Sequence, residues 1–450
     1  MLTGRRDFRD EIRASARLAL PVAGVQLGFM LMGTVDTAML GHFSAEALAA
    51  GAIGNVLAYT LLLLASGTLA ALDPLMTQAH GAGDWPEMNG HLQRGLVLAA
   101  VLTVPVSLGM LDISPLLKLL GEPPGVAVSA AAYTRYLIWG NLPLLLYTVL
   151  RQGLQAMSVV RPTLAAIVFG NVVNALANYA LVFGHWGAPR LGVVGSACAT
   201  SLSRWMTFAW LLLAGRRALS VFWRGFTAEA FAVRRLLRLL RIGLPIGLHQ
   251  SIELSFFLAI ALLMGRLGTI ALAGHQIAIN LASLSFMVPL GISGAATTRV
   301  GNAIGRGDMA AARRAAVACL GLGAGVMTLF AAAFALAPRF LSGLYTHEAA
   351  VIAVASALLP IAAVFQVFDG TQVVGAGVLR GVADTTLPAA SALLGFLLIG
   401  LPASWGLAFA AGWGPSGLWW GITLGIAVVA TLLVARIAFR LRRHVTRVAG

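Results

Sequence analysis

Apolar stretches of about 20 residues recur along this 450-residue chain, and that recurrence limits what it can fold into. A hydrocarbon core roughly 30 Å thick takes about 20 residues of helix to cross. At that depth no water satisfies backbone polar groups, so the spanning segments have to be helices. We read twelve spans, at 16–40, 47–79, 93–111, 129–157, 163–185, 192–214, 238–264, 271–303, 314–335, 350–379, 388–408 and 415–441. Several exceed the minimum length, which predicts tilting or emergence beyond the bilayer. The composition fits this reading: 59% of residues are hydrophobic and 10% charged, against roughly 25% charged in soluble domains. The first apolar run has no small-residue cleavage site after a short core, so it reads as a retained span and not a signal peptide.

The net charge of +15 is not spread evenly. Arg5, Arg6, Arg9, Arg13 and Arg17 precede the first span; Arg216, Arg217, Arg224, Arg234, Arg235, Arg238 and Arg241 fill the middle of the chain; Arg436, Arg440, Arg442, Arg443 and Arg447 close it. All three groups fall on one side of the topology, while the alternate loops hold only Lys118, Arg190, Arg266 and Arg339. Cytoplasmic loops concentrate Lys and Arg, so both termini are expected in the cytoplasm of a cell with the protein in its inner membrane. That distribution argues for orientation and against a nucleic-acid partner.

The chain also resembles itself. Arg17–Asp84 aligns without a gap to Arg241–Asp308 at an offset of 224, with about a quarter of positions identical. "RLALPVAGVQ" answers to "RIGLPIGLHQ" and "AHGAGD" to "AIGRGD"; more loosely, "WGAPRLGVVG" answers to "WGPSGLWWG". The sequence therefore reads as two homologous six-span halves, 1–214 and 238–450, joined by a basic linker at 215–237. Six crossings return the chain to its starting side, so the halves share one orientation and are related by an axis along the membrane normal. In such an arrangement the cleft between two bundles is the natural binding place.

Four of the sixteen acids fall inside spans: Asp36, Asp73, Glu253 and Asp369. An acid at mid-bilayer costs roughly 2.5–3.5 kcal/mol on the insertion scale, so each is expected to face a partner or a wet cavity. Asp73, followed by Pro74 near a span end, is equally well read as structural. At the repeat offset Asp36 answers to Ile260 and Glu253 to Phe29, so the symmetric frame carries asymmetric charge. Helical spacing supplies candidate partners: His249 and Gln250 lie one turn from Glu253, Phe365 one turn before Asp369, and Gln372 nearly one turn after it. Phe365 offers a ring face to a cation or serves simply as core. Asn174 and Asn178 form an i,i+4 amide pair that either meets Asp36 or bonds adjacent backbone. Cys198 and Cys319 both lie in spans and read as packing residues, with no disulfide framework or metal motif.

The stretches "VDTAMLGH", "QAHGAGD", "NYALVFG", "GAPRLGVVGSACAT", "AGHQIAIN", "RVGNAIGRGD" and "FDGTQVVGAGVLRGVADT" resemble the NorM branch of the multidrug and toxic compound extrusion (MATE) transporters over nearly the whole chain. The resemblance implies an all-α polytopic membrane protein, two six-helix bundles in a V shape, exporting organic cations and amphipathic drugs in exchange for Na⁺ or H⁺. It puts Asp36 on the first-helix acid implicated in transport, and Glu253 and Asp369 on two acids used for cation coupling. Phe365 stands where relatives commonly have Tyr. Asn178 stands where another branch has a second acid, which counts against a two-carboxylate proton site there.

The expected mechanism is alternating access. Glu253 and Asp369, with Gln250 and Gln372, would hold Na⁺ or a proton; Asp36, Asn174 and Asn178 would take a proton or bind cationic cargo; Phe365 and Met264 would line the cargo's path. No cofactor is expected, and the protein is read as a monomer in contact with membrane lipid. A flippase for an anionic lipid-linked intermediate shares the duplication, but it calls for a cavity rich in Arg, and only Arg135, Arg151 and Arg204 lie more than five residues inside a span. A membrane-embedded enzyme is the other alternative, and the eight scattered His make no HExxH pair, while no nucleophile elbow or P-loop is present.

Overall fold

The computed structural model describes residues 2–119, 121–222, 225 and 227–448, with no side-chain description for residues 2–7. The side chains of Arg5 and Arg6, and Arg224, therefore lie outside the described residues. Helices account for nearly all of the rest, and no strand occurs among the described residues.

The first half comprises α1 (Leu2–Phe43), α2 (Ala45–Leu69), α3 (Leu72–Gly81), α4 (Trp85–Leu111), the short α5 (Ser114–Leu119), α6 (Pro124–Leu137), α7 (Asn141–Ala156), α8 (Arg161–Phe183) and α9 (Val193–Ala214). A single turn, α10 (Arg216–Leu219), and two 3-10 turns lead to α11 (Val233–Arg266) and α12 (Thr269–Gly305). Then follow α13 (Met309–Leu336), the short α14 (Pro338–Gly343), α15 (Ala349–Gly381), α16 (Thr386–Ala392), α17 (Leu401–Trp405) and α18 (Gly414–Arg442). Stretches of π-helix at Leu393–Gly400 and Gly406–Ala410 make α16 and α17 one continuous crossing.

Ten helical stretches among the described residues are long and apolar enough to cross a membrane. The two other spans read from the sequence fall on helices with weaker signals. One, 129–157, is divided by a 3-10 turn at Ile138–Gly140. The other, 192–214, coincides with α9, which carries Ser196, Thr200, Ser201, Ser203 and Arg204.

The duplication is visible helix by helix. Ala45–Gly81 and Thr269–Gly305 occupy equivalent stretches at the 224-residue offset. Asp84 caps α4 by accepting from the Glu87 amide at 3.0 Å, and Asp308 caps α13 by accepting from the Ala311 amide at 2.8 Å. Each cap follows a glycine in the left-handed region, Gly83 at φ +71° and Gly307 at φ +76°, where a side chain would be strained. The copies differ at one point. The first breaks into α2 and α3 at Ala70–Ala71, while the second runs unbroken. The apolar run at 47–79 reads in the sequence as one segment, and the structure divides it. Pro74 lacks an amide hydrogen and crowds the carbonyl four residues back, at Ala70; its counterpart, Thr298, does neither.

Contacts sort the chain into two compact units. One comprises Met1–Ala23, Asp73–Gly83 and Leu248–Ala449; the other comprises Gly24–Leu72 and Asp84–Gly247. The repeat describes how the sequence is built, and the units describe how it packs. Both α1 and α11 change unit within three residues of an internal proline, Pro21 and Pro245.

In the first unit α15 is the central helix, packed against α12, α13 and α18. Its seam with α12 is built from small residues and hydroxyls, as membrane helices favour. Ser293 Oγ donates to Val373 O at 2.7 Å, and Thr297 Oγ1 donates to Gly377 O at 2.9 Å. Ion pairs close one end of this unit: Glu11 takes a bidentate pair from Arg299 at 2.8 and 2.6 Å, and Asp384 meets Arg436 and Arg440. Asp73 lies 3.6 Å from Arg380. In the second unit α8 packs on α9, α2 on α6, and α4 on α7.

Candidate functional site

Two buried acidic clusters stand out, one in each unit. In the second unit α1 presents Asp36, α8 presents Asn174 and Asn178 one turn apart, and α9 presents Thr200. Asp36 Oδ1 accepts from Asn174 Nδ2 at 2.9 Å and from Asn178 Nδ2 at 2.8 Å, while Oδ2 accepts from Thr200 Oγ1 at 2.7 Å. Asp36 is 7% exposed, and both asparagines are fully buried. Asn178 Nδ2 also donates to Asn174 O at 3.0 Å, which ties the amide pair to its own helix. Among the described residues the amide oxygens Asn174 Oδ1 and Asn178 Oδ1 have no partner, so the cluster keeps two open acceptors.

Thr200 was not singled out from the sequence. A hydroxyl in "SACATS" is unremarkable until α9 turns it toward α1. Arg204, one turn further on, acts electrostatically on Asp36 and on the buried Tyr133. Its stem passes over Gly140, where a Cβ would meet Arg204 Cδ at 2.8 Å. Two bonds hold the neighbouring turn to α9: Ser201 Oγ donates to Tyr136 O and Trp205 Nε1 to Trp139 O, both at 2.9 Å. Arg204 Nη1 is buried without a partner. Arg135 and Arg151, the other basic residues read deep within spans, bond Leu111 O and Gln155 Oε1 instead.

In the first unit α11 presents His249, Gln250 and Glu253, and α15 presents Phe365, Gln366, Asp369 and Gln372. Gln372 hydrogen-bonds the Glu253 side chain, and its Nε2 lies 3.5 Å from His249 Nε2. Asp369, 2% exposed, is near enough to Glu253 for the two carboxyl groups to interact electrostatically. Three buried acceptors here have no partner among the described residues: Asp369 Oδ1, Gln366 Oε1 and Gln372 Oε1. The Gln366 amide nitrogen is held by Ser285 Oγ. Hard cations take oxygen ligands, and carboxylate plus amide oxygens are what this pocket of side chains offers. Among the described residues no three His, Cys, Asp or Glu side chains come together, so any cation here depends on amide oxygens as well as acids.

The remaining candidates divide. Gln250 is half-buried on α11. Phe365 is 2% exposed and makes edge-to-face contacts with Phe257 and Trp419, at centroid distances of 6.3 and 5.8 Å. Trp419 Nε1 donates to His275 Nδ1 at 3.2 Å, extending an aromatic layer that the sequence reading did not anticipate. Met264 is fully buried, three turns along α11 from Glu253.

The profile of the MatE family matches the chain twice, over residues 21–180 and 245–405. The chain belongs to the MatE family. The second match starts 224 residues after the first, the offset of the internal repeat. Among relatives of this MATE protein, the "Multidrug resistance protein NorM" of Burkholderia vietnamiensis is 40% identical over 430 residues, covering 94% of this chain and 92% of that one. A "Probable multidrug resistance protein NorM" of Rhizobium meliloti is 38% identical over 450 residues, with 96% and 94% covered. The NorM-like resemblance read from the motifs is thus the family found.

The crystal structure of a eukaryotic MATE transporter, AtDTX14, superposes with a TM-score of 0.87 at 24% identity, covering 98% of this chain and all of that one. A MATE transporter of the MOP superfamily in an outward-facing conformation superposes with a TM-score of 0.86 at 21% identity, with 96% of each chain covered. At these identities the likeness establishes the fold: an all-helical, multi-pass membrane protein.

Proposed function

We propose that this MATE protein is a secondary active multidrug efflux transporter, exchanging organic cations and amphipathic drugs for Na⁺ or H⁺ by alternating access. The observation that carries the reading is the carboxy-half cluster, where Glu253 and Asp369 stand among the partnerless oxygens of Asp369, Gln366 and Gln372. Buried acceptors without donors are costly unless something positive visits them. A transported ion does so transiently, and its departure leaves the cluster ready for the next. The NorM names of the relatives support drug cargo, and the absence of any P-loop in the sequence supports drive by an ion gradient.

In this reading Glu253 and Asp369 hold the coupling cation, with Gln372 fixing Glu253 and Gln250 at hand on the same helix. Asp36, with Asn174, Asn178 and Thr200, takes a proton or a cationic group of the cargo. Phe365 and Met264 supply apolar surface. An ion and a cargo that favour different conformations are exchanged because each can shift the equilibrium only by its differential affinity. No catalytic chemistry is assigned, and the protein works as a monomer in the inner membrane with both termini in the cytoplasm.

We favour Na⁺, because carboxylate and amide oxygens from two helices suit a hard cation. Purified protein in vesicles, with Na⁺ or pH gradients imposed separately, tests this. Drug efflux should accelerate with Na⁺ at fixed pH. Indifference to Na⁺ with steep dependence on a pH gradient would reverse the choice of ion. No gradient-dependent drug movement under either condition would turn the reading toward a lipid flippase.

A further inference from the structure

A groove of about 510 Å³ runs along the outer face of α8 and α9, lined by Arg161, Leu164, Val168, Phe169, Val172 and Trp210 among others. Apart from Arg161 its walls are apolar. Phe169 and Trp210 form its floor, stacked with centroids 4.3 Å apart and planes 22° from parallel. From Arg161 to Val172 the helix rises about 16 Å at 1.5 Å per residue, which is close to one leaflet of a hydrocarbon core roughly 30 Å thick.

The charge at one end of the groove is one-signed. The Phe169–Trp210 stack joins α8 to α9, Arg161 opens α8 at one end of the groove, and α9 is followed by α10 with Arg216 and Arg217. Arg216 and Arg217 are exposed, as is Arg161. None of the three side chains has a hydrogen-bond or ion-pair partner among the described residues. The sequence contains no acid between Glu122 and Glu229, so no carboxylate from these helices compensates them. The guanidinium group of Arg161 thus stands open at one end of an apolar trough one leaflet deep.

We propose that this groove is a binding site for a phospholipid with a net negative headgroup, one acyl chain lying over Phe169 and Trp210 and the phosphate held by Arg161. The trough supplies apolar area matched to a chain, and Arg161 supplies donors that fit phosphate oxygens. A zwitterionic lipid fits less well, since its ammonium would stand near a guanidinium group that no carboxylate of α8 or α9 compensates. The site lies outside both acidic clusters and does not depend on which ion the transporter uses.

Native mass spectrometry of the purified full-length protein, with dioleoyl phosphatidylglycerol or phosphatidylcholine added in equal amounts, tests the proposal. The wild-type protein should retain one phosphatidylglycerol preferentially. Arg161→Gln should weaken that retention about fivefold, the usual effect of one basic residue near an anionic lipid surface, and leave phosphatidylcholine unchanged. Val168→Trp, which fills the trough and spares every charge, should weaken retention of phosphatidylglycerol as well. Equal retention of the two lipids by the wild type, or full retention by both variants, overturns the proposal. Stabilisation against heat by inorganic phosphate equal to that by phosphatidylglycerol would also overturn it, because a free anion needs no trough.

Discussion

Asp36 accepts hydrogen bonds from Asn174, Asn178 and Thr200, whereas Asp369 keeps Oδ1 without a partner and faces a second acid, Glu253. The two clusters sit in equivalent halves of a duplicated frame, yet neither acid of α1 or α11 is repeated: Ile260 stands opposite Asp36, and Phe29 opposite Glu253. A carboxylate with three donors is compensated where it stands. A pair of acids among bare amide oxygens is not, and binding a positive ion relieves both the repulsion and the desolvation. The difference separates a carboxylate whose two oxygens both accept hydrogen bonds from one that keeps an oxygen bare beside a second acid.

The largest effect expected from breaking this comparison is at the cluster of Glu253 and Asp369. Glu253→Gln and Asp369→Asn keep side-chain shape and remove charge, so each should abolish gradient-driven drug efflux while the protein still inserts and folds. Vesicle transport beside a thermal unfolding curve measures both, and wild-type transport by either variant would remove that acid from the coupling role.

The next is a transplant. Ile260→Asp places the amino-half acid at its repeat equivalent, a position with 0% exposure and none of the three donors. It should cost about 2.5–3.5 kcal/mol, the price of an unpartnered acid in a span, read as a lowered unfolding temperature in detergent. Wild-type stability would mean that the carboxy half already holds donors for it.

Asp36→Asn is expected to be milder. It should cut efflux about tenfold, equivalent to roughly 1.4 kcal/mol, and leave Na⁺ binding at Glu253 and Asp369 unchanged. Isothermal titration and efflux on the same preparation give the answer, and an equal loss of both would merge the two clusters into one site.

The smallest effect belongs to Thr200→Val, which takes one donor from Asp36 and leaves the asparagines in place. It should destabilise by about 1 kcal/mol, the central net value for an intramolecular hydrogen bond. No change would show that Asn174 and Asn178 suffice.

Much of this was open to reading before any coordinates. Hydrophobic runs of membrane-crossing length dictate helices because unsatisfied backbone is intolerable in hydrocarbon, and the repeat at 224 residues fixes matching caps at Asp84 and Asp308. The acids inside spans announce themselves by their cost. Proline position also speaks: Pro74 already carries the reason for the break at Ala70–Ala71, although the length of the apolar run concealed it.

What the sequence alone did not determine was partnership. Thr200 lies 164 residues from the carboxylate it bonds, and helical periodicity reports only which residues share a face, never which other helix that face meets. The sequence leaves Asp73 equally open to structural and functional readings, and only the fold brings Arg380 to 3.6 Å from it. The path of Arg204 over Gly140, and the bond from Trp419 to His275, likewise exist only because particular helices pack at particular heights. Local chemistry selects helices and prices their charges; which oxygens are satisfied and which remain open is decided when the helices pack.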